Sequence, residues 1–426
     1  MFEQIDIAFK TPPKRHFFFG YYDVSPLSMD GTKLLAQEVN FIDRMPCEDD
    51  RLIIGYFDLK SKKWIPLSET SAWNWQMGCR LQWLGPDFNR FVIYNDREDG
   101  KFVSYIVDVQ TGEKIKLPFP IYSISSDGRY SVTLNFARLH HTRPGYGYWG
   151  GEDPYFHEEH PDNDGIFLVN LKTGECKLII SIDRLYRIKH MPIMDEGIHW
   201  VNHLMFNRKG TRFIFLHRWS LPDGGMYSRL YTANYDGSEL SLLLDTGMVS
   251  HFCWRDNETI ICWGRQGTVM SSVRNKSLFI NRFIKFLRPL YHKLLPRTVK
   301  HGITKDAYLI IKDFSGIVSS LNHPALKENG HCSVSPDGRW MLTDTYPDKE
   351  HFRRLLLYNL LDGRLLELGR FKSLPPGFPE DWDISGARCD LHPKWSFDGK
   401  CICIDSVHED YRGMYLFDVK MLIQGV

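Results

Sequence analysis

Seven times along its 426 residues the chain repeats one unit, and a repeat of this kind decides architecture before any local feature does. The unit is a strand-like run, a tight polar turn and a second run: SPLSMDGTKLLAQ, LQWLGPDFNRFVIYND, YSISSDGRYSVTL, HLMFNRKGTRFIFLH, HFCWRDNETIICW, HCSVSPDGRWMLTD and HPKWSFDGKCICID. Asp-Gly supports the positive φ of a two-residue hairpin, and alternating apolar residues on either side supply the strands. Each copy is followed by a second hairpin pattern, such as RLIIGYFDLKSKKWIPL or RRLLLYNLLDGRLLEL; the last, GMYLFDVKMLI, stops one strand short. The apolar run FEQIDIAFK at residues 2–10 has no partner of its own and supplies the missing strand. The chain therefore reads as all-β: a single seven-bladed β-propeller over residues 1–426, its ring closed by the N-terminal strand. Two unrelated β-sandwiches are the alternative, disfavoured by the regular alternation.

Composition agrees. Aromatic residues make up 14% of the chain and suit many pleated surfaces. Lys+Arg 53 against Asp+Glu 52 excludes a generally basic nucleic-acid binder, and 43% hydrophobic residues exclude wholesale disorder. The N-terminus lacks the charged, apolar and small-residue zones of a secretory signal, so the expected location is the cytoplasm. No stretch of 18 residues is apolar throughout, so no spanning helix is expected. Nine scattered cysteines, an odd number, read as buried free thiols.

Two insertions interrupt the repeats. Residues 139–163 read as a Gly-, Tyr- and His-rich loop, whose Tyr148 and Trp149 are candidates to stack on sugar rings or, alternatively, to pack on the rim. Residues 265–305 hold ten Lys/Arg and no acidic residue, with Leu278, Phe279, Phe283 and Phe286 at helical spacing before Pro289, a basic helical insertion in the fifth blade region. Such a segment predicts either contact with an anionic membrane through residues 275–300, peripheral at its inner face, or a lid packed over the propeller.

Innermost propeller strands line a central channel, so residues at one offset from the hairpin turn form a ring. His203, His251, His331 and His392 each stand six residues before the turn position held by Lys209, Asn257, Asp337 and Asp398. Four imidazoles at one level in adjacent blades suit a divalent metal, whereas a single such histidine would more often be structural. The second strand returns to the same face with Gln37, Asp96, Asn135, His217, Trp263, Asp344 and Asp405, followed by Arg218; Asp344 and Asp405 read better as anchors of backbone amides. Tyr21, Tyr22, Asp23, Arg388 and Asp390 belong to the same rim. Phosphate-loop, nucleophile-elbow and HExxH patterns do not occur.

The segments SHFCW around His251 and NGHCSVSPDGRWMLTD around His331, within seven blades, resemble the oligogalacturonide lyases and, more loosely, the propeller-type ulvan lyases. The resemblance implies a metal-dependent lyase that cleaves uronate-containing oligosaccharides by β-elimination, with a divalent metal, manganese before iron or zinc. His251 and His331 correspond to metal ligands and His203 to the base. Asn329 and Ser333 stand beside His331 where the family draws a Gln and a second His, and His392 could supply the missing imidazole. Geometry, not motif, makes Arg218 the group that neutralises the uronate carboxylate, with His217 or Tyr22 as proton donor and Arg388 as a further substrate contact. A non-catalytic assembly platform in surface-polysaccharide production and a metal-dependent glycoside hydrolase remain the alternatives.

Overall fold

A computed structural model of the chain describes residues 5–266 and 306–424. It is a seven-bladed β-propeller, each blade a four-stranded antiparallel sheet. Blades 1 to 6 are built from consecutive strands. In blade 7 the strands Lys394–Trp395, Cys401–Ser406 and Gly413–Asp418 are completed by Asp6–Lys10 from the N-terminus, which pairs with Gly413–Asp418.

The recurring hairpin has a local cause. In blades 1, 3, 6 and 7 a serine hydroxyl (Ser28, Ser125, Ser335, Ser396) donates to the aspartate two residues on, at 2.6, 2.6, 2.5 and 2.7 Å. The same carboxylate oxygen accepts the amide two residues further along, and the intervening Gly31, Gly128, Gly338 and Gly399 take φ between 69° and 74°. A side chain at these glycines would meet the left-handed penalty. The turn thus sets the register of the innermost strand in these four blades.

Aromatic side chains fill the space within and between blades, as in the edge-on contacts Phe17–Trp64 at 5.0 Å and Trp73–Trp75 at 5.1 Å. Described cysteines other than Cys47, Cys176 and Cys401 are buried, and all nine are free thiols. The reading of 139–163 as loop misses a helix, Phe136–Thr142, which Asn135 caps by accepting the amides of Ala137 and Arg138. The Gly- and Tyr-rich segment on its C-terminal side obscures that start. Residues 275–300, with their membrane or lid reading, lie outside the described residues. No helix among the described residues is long and apolar enough to cross a membrane.

Candidate metal centre

One amide closes each innermost hairpin and aligns the seven blades: Ser28, Leu84, Ser125, Asn207, Arg255, Ser335 and Ser396 donate to Lys33, Phe91, Tyr130, Arg212, Thr259, Trp340 and Cys401. Four residues ahead of these donors stand Val24, Arg80, Ile121, His203, His251, His331 and His392. Blades 4 to 7 thus each bring a histidine to one level of the ring. Their rings touch in sequence: His203–His251 centroids lie 6.4 Å apart, His251–His331 4.1 Å and His331–His392 4.3 Å. Strand irregularities aim the first two, since pairing shifts between Asn202 and Met205 and between Val249 and Phe252. His203 and His392 also adopt positive φ, 54° and 42°, an uncommon backbone state that the surrounding sheet must hold in place.

Tautomers follow from partners. His331 Nδ1 lies 3.0 Å from both carboxylate oxygens of Asp344, which can only accept, so Nδ1 carries the hydrogen and Nε2 presents its lone pair. Asp344 also accepts the amides of His331 and His392, at 2.7 and 3.2 Å. It anchors backbone as the offsets suggest, and it orients a ring besides. His251 Nδ1 is held at 3.0 Å by Asn329 Oδ1, directing its lone pair to Nε2 in the same way. Burial, then the neighbouring His331, pushes the pKa of His251 and of His392 well below the usual histidine value, so both rings are neutral, as ligation requires.

The atoms best placed to share a cation belong to His331, Asp390 and His392, whose ligand atoms all lie within 4.8 Å of one another. His331 Nε2 and His392 Nε2 are buried without a hydrogen-bond partner. Burial alone would raise the Asp390 pKa, but Arg388 and Arg353, at 2.8 Å each, hold it well below the carboxylate range. Two orphaned imidazole nitrogens and an ionised carboxylate fit a divalent first-row metal. Asp390 thus joins the set in which the offsets place His251, while His251 lies tilted by 44° against His331.

A second group lies against this cluster. Tyr21 stacks on His203 with centroids 4.9 Å apart, and its hydroxyl is 3.1 Å from Nε2; His203 Nδ1 is buried and unpartnered. Burial, then Arg218, holds the His203 pKa well below its ordinary value, and burial keeps Tyr21 well above the usual tyrosine range. Arg218 is buried here, within the fields of Tyr146, Tyr21 and Tyr346.

Three expectations are corrected. His217 faces away from Arg218, its strand neighbour, and lies inside blade 4, where Nε2 meets His199 Nδ1 at 2.9 Å and the ring lies 5.5 Å from Trp219; strand alternation sends only one of the pair to the channel. Tyr22 has its ring among the imidazoles, but its hydroxyl donates to Phe252 O at 3.0 Å and accepts Phe252 N–H at 3.1 Å, which occupies it. Tyr148 is buried between Phe136 and Phe102 with its hydroxyl 3.1 Å from Asn95 Nδ2, so it offers no face to a sugar. Trp149 is 44% exposed, against His140. Arg388 lines the site, but its Nε is engaged by Asp390. Tyr146, Tyr346 and Arg143 were not foreseen; they sit on loops beyond the repeat, and only the spacing of Tyr346 two residues after Asp344 hinted at one of them.

No protein-family model matches the chain, and no curated protein matches it in sequence. Solved structures do match in fold. An oligogalacturonate lyase in complex with manganese is 17% identical with a TM-score of 0.59, covering 98% of this chain and 95% of that one. An oligogalacturonate lyase from Vibrio parahaemolyticus is 15% identical with a TM-score of 0.56, covering 96% and 92%. The β-propeller domain of the Trilobed protease from Pyrococcus furiosus follows at 9% identity and a TM-score of 0.51, covering 95% of each chain. At these identities the likeness is one of fold.

Proposed function

We propose that the protein is a metal-dependent lyase that cleaves uronate-containing oligosaccharides in the cytoplasm by β-elimination. The observation that carries the reading is the meeting, in one buried cluster, of the His331–Asp390–His392 ligand set, its two imidazole nitrogens unpartnered, with the His203–Tyr21 pair beside Arg218. The fold likeness to a manganese-bound oligogalacturonate lyase supports the substrate class and favours manganese.

His331, His392 and Asp390 would hold the cation, with His251 alongside. When bound, it supplies positive charge to the substrate carboxylate, on which charge accumulates as the proton α to it leaves. Arg218 contributes the second positive charge. With Nε2–H of His203 donating to the Tyr21 oxygen, the lone pair of the neutral ring lies on Nδ1, which takes the C5 proton. The C5–H electrons form the C4–C5 double bond as the C4–O bond breaks. Tyr21 then passes its hydroxyl proton to the departing oxygen and recovers one from His203 Nε2. A ring as desolvated as His203 is a weak base alone; a carboxylate placed on Arg218 offsets the field that depresses it.

The test is a panel of uronate oligosaccharides incubated with manganese-loaded protein, followed by the ultraviolet absorbance of an unsaturated uronate. Wild type should generate the signal. His203→Ala should abolish it while bound metal, measured by elemental analysis, stays at the wild-type level. Saturated products across the panel would favour a hydrolase, and neither metal nor turnover would leave a binding platform.

A further inference from the structure

The segment after the helix Phe136–Thr142 crosses the molecule and does not stay on its own blade. Gly147 O accepts from Asn74 Nδ2 at 3.3 Å, and the Tyr148 hydroxyl meets Asn95 of blade 2. A Cβ on Gly145 would lie 3.8 Å from Met45 and 3.9 Å from the carbonyl of Gly386, just ahead of blade 7. Tyr146 reaches down from this loop to stand edge-on to Tyr21 at 6.3 Å and to His203 at 5.5 Å. Arg143, at the start of the same loop, lies over the Tyr146 ring at 5.4 Å.

Buried guanidinium groups elsewhere in the protein are each held by ion pairs or hydrogen bonds, even where one Nε is left over, as at Arg229, Arg353 and Arg412. Arg80 pairs with Asp23, Arg353 with Asp390, and Arg138, Arg229 and Arg412 each donate to two or more backbone carbonyls. Arg218 and Arg143 differ. Among the described residues neither side chain makes a hydrogen bond or an ion pair, and the Nε of each is buried without a partner. Burial and then the proximity of Arg143 lower the Arg218 pKa to about 10. Two cations held near one another without an acid is an arrangement that a bound anion relieves, because a buried donor left unmade costs more than a made one gains.

We propose that Arg143 and Arg218 form an oxyanion clamp in which a substrate carboxylate is gripped between a guanidinium fixed in blade 4 and another carried by the overlying loop. It rests on the reading of the buried cluster around His203 as a uronate site, and not on the elimination step. Charge recognition is thereby split between two elements: Arg218 belongs to a central strand of its sheet, whereas Arg143 arrives with the loop that also places Tyr146. A neutral sugar satisfies neither group, so the clamp makes the negative charge a condition of binding.

Isothermal titration of the full-length protein with galacturonate, galactose and inorganic sulfate tests this, with Arg143→Ala and Arg218→Lys as variants and thermal melting as the control for folding. Arg143 is only partly buried, so its variant should fold normally even if a blade 4 variant does not. Galacturonate should bind wild type, and its affinity should drop about 10- to 100-fold in Arg143→Ala, the loss expected for a charged hydrogen bond. Galactose should give no binding. Sulfate that displaces galacturonate would assign the grip to charge alone, and sulfate that fails to displace it would assign the grip to carboxylate geometry; both keep the clamp. Equal binding of galactose and galacturonate, no galacturonate binding by wild type, or an affinity that Arg143→Ala leaves unchanged, overturns it. Because binding is read and not turnover, a protein that grips galacturonate through both arginines yet yields no unsaturated product would retain the clamp and lose the lyase reading.

Discussion

Blades 1 to 3 and blades 4 to 7 present the same ring position to the channel and treat it oppositely. In the first group the position holds Val24, Arg80 and Ile121, and the polar groups around it are spent on the protein itself. Arg80 donates to both oxygens of Asp23 at 3.0 and 2.8 Å; Gln37 bonds Phe19 O and the amide of Cys79; Asn95 bonds both the amide and the carbonyl of Ile121. In the second group the position is histidine throughout, and His203 Nδ1, His331 Nε2 and His392 Nε2 have no partner. The repeat supplies geometry to all seven blades alike. What separates scaffold from site is whether the hydrogen bonds are already made, since a fold seldom leaves buried polar atoms idle without a use for them.

The largest effect should come from breaking the satisfied half. Arg80→Ala leaves Asp23 buried and unpaired and should cost about 3–5 kcal/mol of unfolding free energy. Chemical denaturation measures that loss, and bound manganese should remain at the wild-type level; if metal is lost while stability is kept, the two halves have been assigned the wrong way round. A smaller effect is expected in the other half from Asp344→Asn, which weakens the hold on His331 without removing a ligand. Metal affinity should fall about 10- to 100-fold, read by competition with a chelator. Unaltered affinity would show that His331 needs no such orientation.

The smallest effect per side chain concerns pH. His203, His217, His251 and His392 have folded-state pKa values depressed below the ordinary 6.5, chiefly by burial. Below about pH 6.5 the unfolded chain therefore binds protons that the folded protein refuses, so stability falls as pH falls, by at most about 1.4 kcal/mol per pH unit for each imidazole. Above that pH these groups contribute no slope. Urea unfolding between pH 7.5 and 5.5 should show the decline, reduced in His217→Phe by the share of one ring. A flat profile would mean that the rings titrate in the folded protein as they do in the unfolded chain, and burial does not hold them neutral.

Much of this was legible in the chain because the hairpin turn is written locally. The polar turn, Ser-x-Asp-Gly in blades 6 and 7 and other residues in blades 4 and 5, fixes the register, the register fixes the offset, and the offset collects four histidines from positions up to 189 residues apart, 203 to 392. Asp344 and Asp405 were legible for the same reason; Asp405 accepts the amides of Phe19 and Gly20, at 3.2 and 2.9 Å to its nearer oxygens. Single-residue alternation defeated the reading at two places. His217 and Arg218 are adjacent and only one can face the channel, and in the loop Tyr146 enters the site while Tyr148, two residues on, is walled off by Phe136. Loops have no repeat to count from. Arg143, Tyr146 and Tyr346 reach the site along paths set by tertiary contacts, which no spacing in the sequence records.

The closing of the ring has a consequence for how the site is assembled. Tyr21 follows directly on the segment whose amides, at Phe19 and Gly20, are held by Asp405, 386 and 385 residues further along the chain. The tyrosine that partners His203 is thus held from both sides of the closure, since Gln37 of blade 1 donates to the carbonyl of Phe19 as well. Contacts of such sequence separation form late and slowly. The site is in this sense a product of ring closure, complete only when blade 7 has met blade 1.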